Sequence, residues 1–341
     1  MLADLDPAHI TVLRDEAIDA LVTDPRGVYV DLTFGRGGHS LALLSRLAPE
    51  GRLLALDRDP EAAQSARRFQ DPRFEFHRAA FSSVRSVLAD RGIRSVTGLL
   101  ADLGVSSPQI DQADRGFSFM RDGPLDMRMD PTVGPTAAQW LAQVGAEELE
   151  EVIRDYGDER NAGPIARAIV SRCQQAADGQ ADPLVRTSQL AELVAKTVRR
   201  RSSADAGQHP ATRTFQAIRI RINQEVGELD ALLEAAPGLL TPGGRIGIIS
   251  FHSLEDRRVK QAFRQAGESS PSRPRGMGRG QWALLAAAAS AGPRTAPPVW
   301  RELAKIKPSR PASLENPRAR SAVLRVAERL GGPSSPAEAQ S

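Results

Sequence analysis

Along the first hundred residues, short unbroken apolar runs alternate with stretches whose apolar positions recur every three or four residues, the pattern of βαβ units around a parallel sheet. The runs at 27–31, 52–57, 73–77 and 98–102 predict four strands, each short enough to be buried on both faces. Helical spacing between them predicts helices over 40–47 and 60–69. After about Asp111 the strand pattern stops. Loops rich in Gly, Asp and Met lead into helical stretches at 137–144, 146–156, 161–175 and 187–200. The βα pattern then returns with a single helix over 212–235, a Pro-Gly-Gly turn at 242–244, a strand at 245–250 and a last edge strand over 321–327. The expected architecture is an α/β domain, residues 1–112 plus 209–330, interrupted by an all-helical insertion at 113–208.

Composition narrows this picture in a few places. A chain of 341 residues with 41% hydrophobic content can bury one large domain carrying an insertion. Its 45 basic and 42 acidic residues leave a net charge of +3, so any nucleic-acid surface must be local. Segment 269–298, rich in Pro, Gly, Ser, Arg and Ala, reads as a flexible loop with at most one weak helix at 282–289, and 331–341 as a disordered tail. Cys173 is the only cysteine, which excludes an intramolecular disulfide and a cysteine-built zinc cluster and suits a reducing cytosol. It reads as a small buried apolar residue. The N-terminus lacks a basic region followed by an apolar run, and no stretch of about 18 apolar residues occurs. A cytoplasmic protein without a membrane span is expected.

The candidate chemistry sits where predicted strands end. Asp31-Leu-Thr-Phe-Gly-Arg-Gly-Gly-His-Ser40 joins a strand to a helix, where glycines let a ligand approach the backbone and the helix offers free N–H groups. The loop suits a nucleotide-like cofactor; a tight βα turn without a ligand is the plain alternative. Ser40 stands where the dinucleotide fingerprint requires its third glycine, which weakens NAD as the ligand. Asp57 ends the next strand, where a carboxylate can accept both hydroxyl protons of an adenosine ribose or simply cap the following helix. Asp102, with the loop through Gln109, follows the fourth strand and should stand beside the same site or act as a turn former. In Ser250-Phe-His-Ser-Leu-Glu-Asp256, Ser253 and Asp256 have capping-box spacing, and His252 reads as a structural hydrogen-bonding residue. Arg199 to Arg201, with Arg213, Arg219, Arg221 and His209, form a basic stretch that fits either phosphate contacts to RNA or a solvated face. With 4% aromatic residues, a stacking platform is disfavoured.

Taken together, segments 9–16, 31–40, 54–60, 102–111, 115–130, 209–217, 249–256 and 315–320 resemble the RsmH (MraW) family. These are bacterial methyltransferases that modify N4 of a decoding-centre cytidine in 16S rRNA. The long central segment, Arg115-Gly-Phe-Ser-Phe-Met-Arg-Asp-Gly-Pro-Leu-Asp-Met-Arg-Met-Asp130, is the most specific part. The resemblance implies a Rossmann-like class I methyltransferase fold with a mostly parallel sheet, S-adenosylmethionine as methyl donor, no metal, and 16S rRNA or the small ribosomal subunit as partner. It implies Gly37, Gly38 and His39 as loop contacts to the cofactor and Asp57 as the ribose ligand, with Phe81, Asp102 and Gln109 completing the site. On its residues alone Phe81 reads as core.

For transfer to a cytosine amine, Asp102 or a backbone carbonyl in 103–108 is the expected acceptor of the N4 hydrogen bond. The target base is expected between the α/β domain and the insertion. Phe117, Phe119 and Met120 either line that pocket or pack into the domain junction. A nicotinamide-dependent dehydrogenase and a non-catalytic RNA-binding factor are the rival classes.

Overall fold

A computed structural model describes residues 11–198, 209–264, 299–311 and 316–331. Among the described residues seven strands form one sheet: β1 (Val28–Asp31), β2 (Arg52–Asp57), β3 (Phe74–Arg78), β4 (Val96–Asp102), β5 (Leu240–Ser250), β6 (Trp300–Ile306) and β7 (Val323–Arg329), in the order β3-β2-β1-β4-β5-β7-β6. The first five pair in parallel, and β7 runs antiparallel between β5 and β6. The fold is a doubly wound, Rossmann-like α/β sheet.

Alternation along each strand explains the two layers that cover it. Leu54, Leu56, Leu99 and Ile248 face one apolar cluster, with Leu88 of helix 84–89 and Leu232 of helix 225–239. Their neighbours Leu53, Leu100 and Ile249 face the other, with Ile18 of helix 14–21 and Leu43 of helix 38–46. In chain order these helices are α1 (Arg14–Leu21), α2 (Gly38–Arg46), α3 (Pro60–Ala66), α4 (Val84–Ala89), α5 (Ser107–Asp111), α6 (Ala137–Leu141), α7 (Ala146–Gly157), α8 (Ala162–Ala177), α9 (Thr187–Thr197), α10 (Thr212–Ile222), α11 (Glu225–Leu239) and α12 (Ser253–Arg264). Among the described residues, no helix is long and apolar enough to cross a membrane.

Helices α6 to α10 build a separate core from Trp140, Leu149, Ile153, Ile165, Ile169, Leu190, Phe215 and Ile218, joined by Leu125 and Met127. Helix α10 therefore belongs to the helical layer by its packing. Cys173 is half-buried at the edge of this core as a free thiol.

Three elements depart from expectation. The last strand, β7, is internal, paired on both sides, and the true edge is β6. In β6, Arg301, Glu302, Leu303 and Lys305 are exposed, so the segment shows no apolar run. Charged edges of this kind resist pairing with other chains. The Pro-Gly-Gly turn lies within β5: Val96 pairs with Leu240 but Gly98 with Arg245, so the intervening residues loop out, with Gly243 at φ 78. The single helix expected over 212–235 is two, broken at Asn223 and Gln224, the latter left-handed at φ 53. The expected helix at 282–289 and the 269–298 loop lie outside the described residues, as does nearly all of the 331–341 tail.

That break joins the two layers. Asn223 is buried; its side-chain oxygen accepts the Met129 N–H at 2.7 Å, and its amide nitrogen donates to the Met127 carbonyl at 2.7 Å. Met127 has φ 63, a left-handed conformation that costs a side-chain-bearing residue about 1–3 kcal/mol and persists only where its surroundings impose it. Arg58 donates to the Asn223 carbonyl at 2.9 Å, and Arg78 pairs with Asp130 at 2.8 Å across the same seam. Asn223→Ala should leave a buried N–H and a buried carbonyl unpaired. The expected loss is about 2–3 kcal/mol, read as a lower urea midpoint at unchanged slope.

Candidate functional site

The exits of β1, β2, β3, β4 and β5 meet around one pocket at the C-terminal edge of the sheet, where doubly wound folds collect ligands. After β1 the chain turns sharply. Gly35 lines the pocket with φ 53, has open space where a Cβ would stand, and donates its N–H to Asp57 Oδ2 at 2.8 Å. Gly37, at φ 83, sets the turn from behind: a Cβ there would lie 2.5 Å from the Phe69 ring, and it is not part of the pocket wall. Gly38 and His39 are on the wall at the start of α2. Asp31 is buried beneath them and accepts the Ser40 hydroxyl at 2.6 Å. Burial pushes its pKa up, against the opposing pull of His39 and that hydrogen bond.

At the exit of β2, Asp57 accepts two backbone N–H groups, from Asp59 at 2.9 Å and from Gly35. Burial outweighs both and pushes its pKa up to about 6. Phe81 reaches the wall from the short turn Phe81–Ser83 after β3, half-buried against the sheet core. At the exit of β4, Asp102 is tied to the β1 loop by its N–H, which donates to Thr33 Oγ1 at 2.6 Å. His39 Nε2 lies 3.6 Å from Asp102 Oδ2. Asp102 Oδ1 and both His39 ring nitrogens are buried without a hydrogen-bond partner. Orphaned polar atoms of this kind call for a partner that a bound ligand can provide.

Gln109 also lines the pocket, with its amide engaged on the protein: Oε1 accepts the Ser106 N–H at 2.9 Å in a capping box for α5, and Nε2 donates to Asp59 at 2.6 Å. Asp59 accepts Arg115 as well, at 3.0 Å. These buried partners mark Asp59 and Arg115 as parts of the site that sequence reasoning missed. The Asp59-Pro60 pair signals only a helix cap, and Arg115 lies far along the chain.

At the exit of β5, Phe251, His252 and Glu255 complete the wall. His252 pairs with Glu255, Nε2 to Oε1 at 3.0 Å, though neither ring nitrogen has an aligned hydrogen bond. Burial opposes ionisation of Glu255, but His252, Arg219 and the Phe251 N–H together hold its pKa below the ordinary value. The Ser253 to Asp256 capping box gives way to another arrangement: Asp256 pairs with Arg325 of β7 at 2.6 Å, and Glu255 reaches back to the Phe251 N–H at 2.9 Å.

The structure does not bring the other motif residues to this pocket. Phe119 packs against His209 and Phe215, with ring centroids 4.6 and 4.8 Å apart, on the core of the helical layer, while Met120 is 82% exposed. Phe117 lies beneath the Arg115 guanidinium. Arg219 is paired through two bonds with Glu225 at 2.8 and 2.9 Å, and Arg221 with Glu148 at 3.2 Å and over the Trp140 ring. These two arginines are structural rather than free for phosphates. Arg199 to Arg201 lie outside the described residues. Among the described residues, no group of three or more His, Cys, Asp or Glu side chains is placed to hold a metal ion.

Comparison with known proteins is consistent over nearly the whole chain. Two curated relatives, each called ribosomal RNA small subunit methyltransferase H, come from Burkholderia vietnamiensis and Burkholderia cenocepacia. Each is 52% identical over 322 residues, covering 94% of this chain and 97% of the relative. A solved rRNA methylase from Streptococcus thermophilus is far more distant, at 10% identity and a TM-score of 0.34 over 93% of this chain and 94% of that one. The family model described as the MraW methylase family matches residues 6–330, and with this match and the identity to its relatives, the chain belongs to the MraW methylase family.

Proposed function

We propose that this methylase transfers the methyl group of S-adenosylmethionine to N4 of a decoding-centre cytidine in 16S rRNA of the small ribosomal subunit, in the cytoplasm. The observation that carries the reading is the division of one pocket between two carboxylates. Asp57 ends β2 and Asp102 ends β4, and β1 lies between those strands, so the two sit roughly 10 Å apart at ordinary strand spacing. One end suits a ribose and the other a reacting centre.

The residues present fit the cofactor. Asp57 would accept the ribose hydroxyls, Phe81 would flank the adenine, and Gly38 with His39 would offer the N-terminus of α2. Gly37 sets the turn and Gln109 fixes the Asp102 loop. When bound, S-adenosylmethionine supplies an electrophilic methyl group on a positively charged sulfur. Asp57, Asp59, Glu61, Asp102, Glu225 and Glu255 line the pocket against Arg36, Arg58 and Arg258, a balance that favours a cation and repels the two phosphates of a dinucleotide.

The cytosine amine is a weak nucleophile because its lone pair is delocalised into the ring. Asp102, or a carbonyl of the 103–108 loop, accepts a hydrogen bond from N4 and aims the lone pair, so positioning supplies most of the rate. Asp102 is about a quarter exposed, which lets the shed proton pass to water.

Four outcomes test this. Labelled S-adenosylmethionine incubated with small-subunit particles should place its label on N4 of one 16S cytidine; a label elsewhere, or none, overturns the reading. Asp102→Asn should lower the single-turnover rate at saturating cofactor by roughly 10²-fold or more. Ribose binding needs the ionised form of Asp57, whose pKa is about 6. Affinity for S-adenosylmethionine by calorimetry should therefore be flat above that pH and fall about tenfold per unit below it. Asp57→Ala should remove the dependence and weaken binding by roughly 10²-fold.

A further inference from the structure

A pocket walled by carboxylates suits a sulfonium but opposes an RNA strand, which brings one negative charge per nucleotide to its mouth. Cations close to the mouth must offset that repulsion. Two of the three α10 arginines are unsuited: Arg219 and Arg221 are held by Glu225 and Glu148.

The strand order points to another place. Strands β5 and β6 are each antiparallel to β7, so they run the same way, with Ser250 opposite Val323 and Ile306 opposite Leu324. Both ends of the connection between β6 and β7 therefore lie at the ligand edge, on the β5 side of the pocket, and Asn316 within it lines the wall. The connection carries Lys307, Arg310 and Arg320. All three are exposed, and none forms an ion pair with a described residue. Arg320 stands on an anchored turn: Ala319 and Ala322 are buried, and the Ala322 N–H donates to the Ala319 carbonyl at 2.9 Å. The nearest acid of β6, Glu302, is taken by Arg325 at 2.6 Å. Unpaired positive charge thus collects beside the end of the pocket where the acceptor base must enter.

We infer that Lys307, Arg310 and Arg320 form a shelf that binds the RNA backbone phosphates flanking the target nucleotide, an inference that rests on the rRNA reading above. Phosphate contacts carry no sequence information, so the shelf fixes the register of the strand over the pocket while the pocket reads the base.

The test measures binding of small-subunit particles and of 16S rRNA across a salt series for Lys307→Gln/Arg310→Gln/Arg320→Gln. Three lost phosphate contacts should lower the slope of log affinity against log salt by about 2 to 3. At low salt the affinity should fall at least tenfold, with S-adenosylmethionine affinity and thermal midpoint unchanged. The comparator is Arg26→Gln/Arg67→Gln/Arg94→Gln. Arg26 and Arg94 precede β1 and β4, and Arg67 follows α3, so this triple removes equal charge from the opposite edge of the sheet. It should leave the slope as in the wild type.

A wild-type slope in the shelf variant overturns the shelf, and so does an equal loss in the comparator, which would make net charge the cause. If the wild type methylates small-subunit rRNA and the shelf variant binds as tightly, the shelf alone falls. If the wild type neither binds nor methylates that RNA, the substrate reading falls and takes the shelf with it.

Discussion

The ligand edge of this fold is held in register by one buried carboxylate, Asp59. It caps α3 by accepting the Glu61 N–H at 2.9 Å, fixes the loop after β4 through Gln109, and receives Arg115 from the entry to the helical layer. Arg115 in turn donates to the carbonyls of Arg128 and Met129, so the segment that crosses between layers is tied to the same point. Removing one partner of a buried pair like this leaves an uncompensated charge, at a cost of about 3–5 kcal/mol. The Asp59 N–H also orients one oxygen of Asp57, so the proposed ribose ligand takes its direction from the residue that joins the layers.

Around that node the pocket is assembled from five strand exits, with further wall residues from Met129, α11 and Asn316. No single exit is distinctive. The chemistry comes from the crossing ties, such as Thr33 to Asp102 and Gly35 to Asp57, which bring residues distant in the chain within hydrogen-bond reach. Burial, with smaller contributions from Asp59 and Asp31, raises the pKa of Asp57 to about 6, and Asp102 Oδ1 and the His39 ring nitrogens are left without a hydrogen-bond partner.

Much of this was legible before any coordinates. Buried parallel strands such as β2 and β4 read as unbroken apolar runs because both faces are covered, and their ends mark where ligand groups stand. Edge strand β6 was illegible for the converse reason: one face and its rim meet water, so charge interrupts its pattern. The α10–α11 break is hidden because a single Asn, though a poor helix former, is tolerated within a helix, and the buried Met127 and Met129 backbone explains why the chain turns there. Among the glycines, the family resemblance implied Gly37 and Gly38, whereas the pocket wall uses Gly35 and Gly38; Gly37 is turned toward Phe69 behind the loop, a contact the sequence does not encode locally.

The pairing of β4 with β5 has a consequence for how the chain comes off the ribosome. β4 ends at Asp102 and β5 begins at Leu240, with the whole helical layer synthesised in between. Until β5 emerges, β4 is the open edge of a four-strand parallel sheet, with Leu99, Leu100 and Ala101 lacking the cover they have in the finished fold. An apolar, unpaired edge held open for that long is the kind of surface that pairs with other chains. The nascent protein is thus most vulnerable to aggregation in this interval, and early folding of the helical layer shortens the separation that β5 must close.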